Sequence, residues 1–170
     1  LESKEMAAQL TAGHCDIIMS GIVISTERSR DMVFTSPYMD ATLALIVKDF
    51  RRKKFVRRAA LKKLSPLRIG PVDLPYLTTT IKKSLPQADI TLLDSPREFF
   101  EEKGDQLDAF LFTAEAGSAW TLLYPEYTAV IPAPGFMKVP LAYAIARGDP
   151  EFIDFLNGWL VLKQKDHAIE

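Results

Sequence analysis

The sequence predicts an α/β fold, and three observations carry that prediction. Short apolar runs alternate with longer stretches of helical spacing, and Gly or Ser-Pro pairs separate them. One design also occurs twice. In "QLTAGHCDIIMSGI" a helix stops at Gly13, Asp16 follows, and an apolar run ends in small or hydroxyl residues; "FEEKGDQLDAFLFTAEAG" repeats this with Gly104 and Asp108. Strands alternating with helices imply largely parallel sheets, whose ligands sit beyond the carboxyl ends of the strands. Ser20-Gly21 and Thr113-Ala114 would occupy such positions. The alternative is that these small residues only allow close packing of helix on strand.

In order along the chain, residues 4–12 predict a helix, with Met6, Ala7 and Leu10 at helical spacing and Gly13 as its stop. "CDIIMSG" predicts a strand ending at Ser20-Gly21, and Arg30–Phe34 and Thr42–Val47 predict two more around a Ser-Pro-Tyr turn. The segment from Lys48 to Leu64 predicts one amphipathic helix with Phe55, Val56, Ala59, Ala60 and Leu64 as its apolar stripe, ended by Ser65-Pro66. "LRIGPV" is a strand, and Asp73-Leu74-Pro75 caps a helix from about Tyr76 to Ser84. "ADITLLD" is a strand, and Ser95-Pro96-Arg97-Glu98 opens a helix with capping-box spacing. Then come the strand "LDAFLFT", the helix "EAGSAWTLL", the strands "YTAVIPAP" and "KVPLAYAIA", and a helix from Asp149-Pro150 to about Leu162.

A 170-residue chain with 48% apolar and 25% charged residues is globular in composition, with room for one domain or two small lobes. No apolar run reaches membrane-span length, and no signal segment opens the chain. The first residues already have helical spacing, which suggests a fragment of a longer protein. A single cysteine, Cys15, excludes an internal disulfide framework and reads as a small buried hydrophobe. Charge is uneven: Lys48–Leu64 holds nine Lys/Arg and one acid, whereas the remainder holds 12 basic and 21 acidic residues. Such a run could meet acidic lipid headgroups or nucleic acid. Without interleaved aromatics or a second basic element, the plainer reading is a solvated helix face and no nucleic acid. Phosphate-cradling glycine loops are absent, and His14 and His167 lack neighbouring ligand residues, so neither cofactor nor metal is expected. Trp120, Tyr124 and Tyr127 form an aromatic patch that could touch a ligand, but core or hinge packing is the expected role.

"DIIMSGIVISTERSRDMVFTSPY" resembles the signature segment of bacterial extracellular solute-binding proteins of family 3, the polar amino-acid binders of ABC transporters. "LRIGPVDLPYLTTTIKKSLP", "GDQLDAFLFTAEAGSAWTLLYP" and the C-terminal segment follow the family's order, so the resemblance covers nearly the whole chain. It implies a type II periplasmic-binding fold with two α/β lobes, a two-strand hinge, and a ligand in an interlobe cleft. Lobe 1 would lack its N-terminal part. Residues 1–48 would form part of lobe 1 with the first hinge strand, 49–134 lobe 2, and 135–170 the second hinge strand and a helix returning to lobe 1. In the family the turn after Ser-Gly wraps a ligand carboxylate, which an arginine grips bidentately; Arg28 stands at that place. The alternatives for Arg28 are a salt bridge to Glu27 or Asp31, or a plain surface arginine.

The resemblance carries over the ligand-binding positions Ser20, Gly21, Val23, Arg28, Asp73, Tyr76, Thr113 and Glu115. Three departures stand among them. Val23 replaces a hydroxyl that would bond the carboxylate. Leu74-Pro75 replaces a Gly-Thr pair, so that proline removes an amide donor beside an acidic Asp73. Thr113 replaces the acid that would hold an α-ammonium, leaving Glu115 two residues on. The implied ligand is therefore a small polar or carboxylate molecule, an amino acid or a relative lacking the α-amino group, with a degenerate site as the alternative. The implied partners are a membrane permease or a fused membrane protein, in a periplasmic or otherwise extracytoplasmic setting with a membrane tether as a variant. The fragment is also expected to self-associate or to belong to a longer chain. A different class, resembling cyclohexadienyl or arogenate dehydratases on this fold, would need a general acid or base. Glu115 and Asp73 are the candidates, and a non-enzyme is the preferred reading.

Overall fold

The computed structural model describes residues 3–72, 75–135 and 137–166. The chain divides into two compact units, Leu1–Asp40 with Val139–Glu170, and Ala41–Lys138. The division falls at Asp40/Ala41 and Lys138/Val139, where the sequence suggested 48/49 and 134/135.

The first unit opens with α1 (Ser3–Thr11), which ends as its glycine demands. Gly13 has φ +69°, its N–H donates to Leu10 O at 3.1 Å, and the His14 N–H reaches back to Gln9 O at 3.0 Å. These two bonds are the Schellman pair that satisfies the last helix carbonyls. Strand β1 (Ile17–Val23) follows, then a 3₁₀ turn at Arg28–Arg30 and the short β2 (Val33–Phe34). Both strands pair antiparallel with β8 (Lys138–Ile145). A core of Met6, Ala7, Leu10, Ile22, Met32 and Ala144 lies beneath, with half-buried Cys15 against it. The unit ends in α6 (Pro150–Lys165), where the Asp149 carboxylate accepts the Phe152 N–H at 2.9 Å and Pro150 begins the first turn.

Two expectations change here. Ser20-Gly21 do not end β1; the strand runs through them, and its register against β8 shifts between Ile18 and Ile22. Parallel pairing is also confined, among the described residues, to the second unit. The carboxyl-end argument thus fails for Ser20-Gly21, because their sheet partner runs antiparallel.

The second unit is built on β3 (Met39–Lys48), whose unbroken run Leu43–Val47 is at most 2% exposed. A strand covered on both faces has no polar side to alternate with. After the basic segment come β4 (Leu67–Pro71), α3 (Pro75–Ser84) and β5 (Ala88–Ile90). Next are α4 (Pro96–Glu98), which continues as a π-turn over Phe99–Lys103, then β6 (Ala109–Thr113), α5 (Ala114–Leu123) and β7 (Tyr127–Val130). Strand β4 lies parallel between β5 and β6, and β3 pairs antiparallel with both β6 and β7. At α4 the Ser95 hydroxyl accepts the Glu98 N–H at 3.4 Å, while the Glu98 carboxylate accepts the Asp94 N–H at 2.8 Å. The reciprocal arm of the capping box therefore reaches one residue beyond the cap.

Aromatic rings fill this unit's core. Phe99, Phe100, Phe110 and Tyr127 are buried together, and Trp120 and Tyr124 stack on Phe100 at 5.3 and 4.7 Å. Gly104 is required where the π-turn meets this cluster. A Cβ there would fall onto the Tyr127 hydroxyl and lie 3.1 Å from both the Phe99 carbonyl oxygen and Tyr127 Cζ. The ring has little room to yield, being packed on Phe99 at 5.3 Å and Phe100 at 5.2 Å. Gly104→Ala should therefore cost about 2 kcal/mol in urea unfolding. Combining it with Tyr127→Phe, which removes the clashing oxygen, should restore much of that loss.

The basic segment is not the single helix expected. It comprises a 3₁₀ turn at Asp49–Lys54, a break at Phe55–Arg57, and the one-turn α2 (Arg58–Leu61). Phe55 and Leu61 are fully buried, whereas Val56 is 45% exposed, so no single apolar stripe exists. The break is fixed by tertiary bonds: Ala133 N–H donates to Val56 O at 2.7 Å, and Arg58 N–H donates to Ala133 O at 2.9 Å.

Candidate functional site

The turn carrying Arg28 is built by local hydroxyls. The Ser25 side chain accepts the Arg28 N–H at 3.3 Å, and the Ser25 carbonyl accepts both the Ser29 N–H and the Ser29 hydroxyl at 2.9 Å. A serine that bonds the backbone three residues on is the usual way to start such a turn. The turn folds the half-buried Arg28 back over the end of β1, where one guanidinium NH2 group donates to the Val23 carbonyl at 3.0 Å. Among the described residues Arg28 forms no ion pair, and neither Glu27 nor Asp31 meets it as the alternative required. Burial lowers the Arg28 pKa from its ordinary value, the direction expected for a cation without a counter-charge. The guanidinium keeps further N–H donors, since it carries five and this bond uses one.

The segment beyond the turn serves structure. The buried Thr35 hydroxyl accepts the Tyr143 N–H at 3.1 Å, and the Ser36 N–H donates to the Asn157 side chain at 2.7 Å. Tyr38 stacks on Tyr143 at 4.7 Å, and burial, with Tyr143 adding to it, raises the Tyr38 pKa. The Phe-Thr-Ser-Pro-Tyr part of the motif thus clamps the turn's far end to β8 and α6.

The eight ligand-binding positions read from the sequence fall in both units. Ser20, Gly21, Val23 and Arg28 belong to the first, where Ser20 is exposed and Val23 contributes its carbonyl rather than its side chain. Tyr76, Thr113 and Glu115 belong to the second, and Asp73, like Leu74, lies outside the described residues. Tyr76 stands in the first turn of α3. Thr113 is the N-cap of α5: its hydroxyl accepts the Ala116 N–H at 3.3 Å. A capping role explains why a threonine serves at this helix start. Glu115 is exposed in the first turn of α5, where the helix dipole favours a carboxylate. Ser25, which holds the arginine turn, was not among the eight; its signal was a serine three residues before the arginine. Among the described residues no group of three or more His, Cys, Asp or Glu is placed to hold a metal ion, and no helix is long and apolar enough to cross a membrane.

Solved structures define the class to which this architecture belongs. An ancestral cationic amino acid solute-binding protein is 26% identical with a TM-score of 0.70, covering 99% of this chain and 72% of that one. A binding component of an ABC transporter from Wolinella succinogenes DSM 1740, complexed with lysine, is 24% identical with a TM-score of 0.75, over 98% of this chain and 71% of that one. The amino acid ABC transporter substrate-binding protein AbpA from Streptococcus pneumoniae, bound to L-arginine, shares the fold at 19% identity and a TM-score of 0.77, over 99% and 70%. No curated protein matches the chain. The fold is thus α/β of the type II periplasmic-binding kind. The family model for bacterial extracellular solute-binding proteins, family 3, matches residues 1–170, and the chain belongs to that family. It is a solute-binding domain of an extracytoplasmic family.

Proposed function

We propose that this domain captures an amino acid or a related small carboxylate, with Arg28 as the carboxylate anchor, and delivers it unchanged. The carrying observation is the half-buried Arg28 guanidinium, fixed to the Val23 carbonyl and without a carboxylate partner among the described residues. A buried cation left unpaired costs folding free energy, and a ligand carboxylate would relieve that cost. Val23 tethers the arginine through its backbone carbonyl, a role open to any residue, so nothing in the structure explains the valine side chain at this place. Ser20 and Gly21 complete the site as the polar, small positions of the strand behind the turn. A solved relative at 27% identity and a TM-score of 0.70 is described as an ancestral amino acid-binding protein and a precursor of cyclohexadienyl dehydratase. Binding is the reading we favour, with a membrane permease or a fused membrane protein as recipient and a membrane tether as the means of retention. Incubation with prephenate should return it unconverted.

The test is a thermal-shift screen against amino acids, dicarboxylates and other small carboxylates, run on the wild type, Arg28→Ala and Arg28→Lys. A ligand at about 100 times its dissociation constant adds roughly 2.7 kcal/mol of stability. Arg28→Ala should weaken the hit roughly 30-fold, and Arg28→Lys should recover only part, because an ammonium lacks the planar fork. A hit of equal strength in wild type and Arg28→Ala, or no hit in the panel, would remove Arg28 as the anchor.

A further inference from the structure

The basic segment, once resolved into a turn, a break and a short helix, carries a surface that the solute-binding role does not use. Phe50 sits in the 3₁₀ turn Asp49–Lys54 and is 81% exposed, an unusual position for a phenylalanine. Residues three apart eclipse in such a turn, so Phe50 and Lys53 share a face. Arg51 is drawn away to Asp108, at 2.7 Å. In the same turn Lys53 and Lys54 are exposed, and farther along the segment so are Arg57, Lys62 and Lys63; none of the five makes an ion pair among the described residues. Arg52 neutralises the nearby exposed Asp49 at 3.4 Å, so the turn's own acid subtracts little; exposed Glu126 and exposed Asp105, the latter paired with Lys48, are further carboxylates at this end. The tip is held firmly: the Asp49 N–H donates to Glu126 O at 2.8 Å, and fully buried Phe55 anchors the turn's other end.

We infer that this tip docks the domain on an anionic lipid surface, Phe50 entering the headgroup boundary while Lys53 and Lys54 beside it meet lipid phosphates and the segment's other exposed cations add to the attraction. Charge complementarity chooses the occupant. Lys48–Leu64 concentrates nine of the chain's 21 basic residues, while the rest of the chain is net acidic and would be repelled by the same surface, so the tip sets the orientation. A single exposed aromatic beside basic residues suits insertion at an interface. Single-stranded nucleic acid would call for several stacking rings along a groove, and this segment exposes one.

The experiment is co-sedimentation of the whole chain with phosphatidylcholine vesicles, with and without about 30% phosphatidylglycerol, at low and high salt. A duplex and a single-stranded oligonucleotide serve as competitors. Binding should require the anionic lipid and fall steeply with salt. Lys53→Gln with Lys54→Gln should weaken it by about 30-fold, each cation near the surface contributing roughly 1 kcal/mol. Phe50→Ser should weaken it several-fold without changing the salt slope. These side chains are exposed, so the variants should melt with the wild type, which separates lost docking from lost folding. Equal binding to neutral vesicles, indifference to either variant, or displacement by oligonucleotide at lower concentration than by lipid would overturn the inference.

Discussion

Phe110→Ala should cost about 3–5 kcal/mol, the largest loss expected from a single truncation in this chain. Phe110 is fully buried on β6, between β4 and β3. Its ring stacks on Phe99 and Phe112, each at 5.1 Å, and meets Phe100 edge-on at 6.1 Å. Removing it withdraws apolar area and also leaves a cavity whose walls are other rings. Those rings cannot collapse inward, because Phe99 and Phe100 are themselves held in the π-turn and Phe112 in the strand. The second unit should therefore lose about 6–20 °C in melting temperature, at 2–4 °C per kcal/mol for a chain of this size. Phe110→Leu, which fills most of the volume, should cost less than half as much. Equal losses in the two variants would mean that ring stacking, rather than the cavity, sets the cost.

The features legible in the sequence were those whose causes are local. Gly13, Ser95 and Asp149 act within four or five residues, and each stops or starts its helix as its chemistry requires. The run Thr42–Val47 announced a strand, and the structure adds that its Leu43–Val47 part is covered on both faces. The Arg28 turn was legible as a motif, although its mechanism was not: the tether runs to a carbonyl, and a carbonyl leaves no mark on the residue type. Long-range bonds hid the rest. The basic segment counted as one helix because Phe55, Ala59 and Ala60 fit helical spacing, but Ala133 breaks it at Val56–Arg58 from more than 70 residues away. Ser20-Gly21 looked like a strand end because both are small, yet β8, over 120 residues on, pairs on both sides of them. The capping of α5 by Thr113 was not legible, because it depends on where the helix starts and not on the residue type alone.

Asp108→Ala should cost about 3 kcal/mol, and its pH signature should distinguish an ion-pair loss from a packing loss. The Asp108 carboxylate, its side chain 7% exposed, accepts from Arg51 at 2.7 Å and from the Arg68 side chain at 3.2 and 3.4 Å. It also takes the Arg68 backbone N–H at 2.9 Å. It thereby joins the start of the basic segment to β4 at the head of β6, which is the work of the Asp that precedes this strand in the sequence. Removing it strands two arginines that are 30% and 43% exposed, so water offsets part of the penalty a fully buried break would carry. Burial alone would raise the Asp108 pKa, but the hydrogen bonds from Arg68 and Arg51 outweigh it and leave the carboxyl below its ordinary value. A carboxylate whose folded pKa is depressed contributes stability that is complete above its unfolded pKa, near 3.9. That contribution is lost as pH falls through the folded value. Wild type should thus lose its advantage over Asp108→Ala in the acid range below about pH 4, and hold it undiminished from pH 5 to 8. Denaturant unfolding of both proteins across that range decides the matter, since a gap between them that ignores pH would mean that Asp108 holds β4 and the basic segment by shape and hydrogen bonding alone.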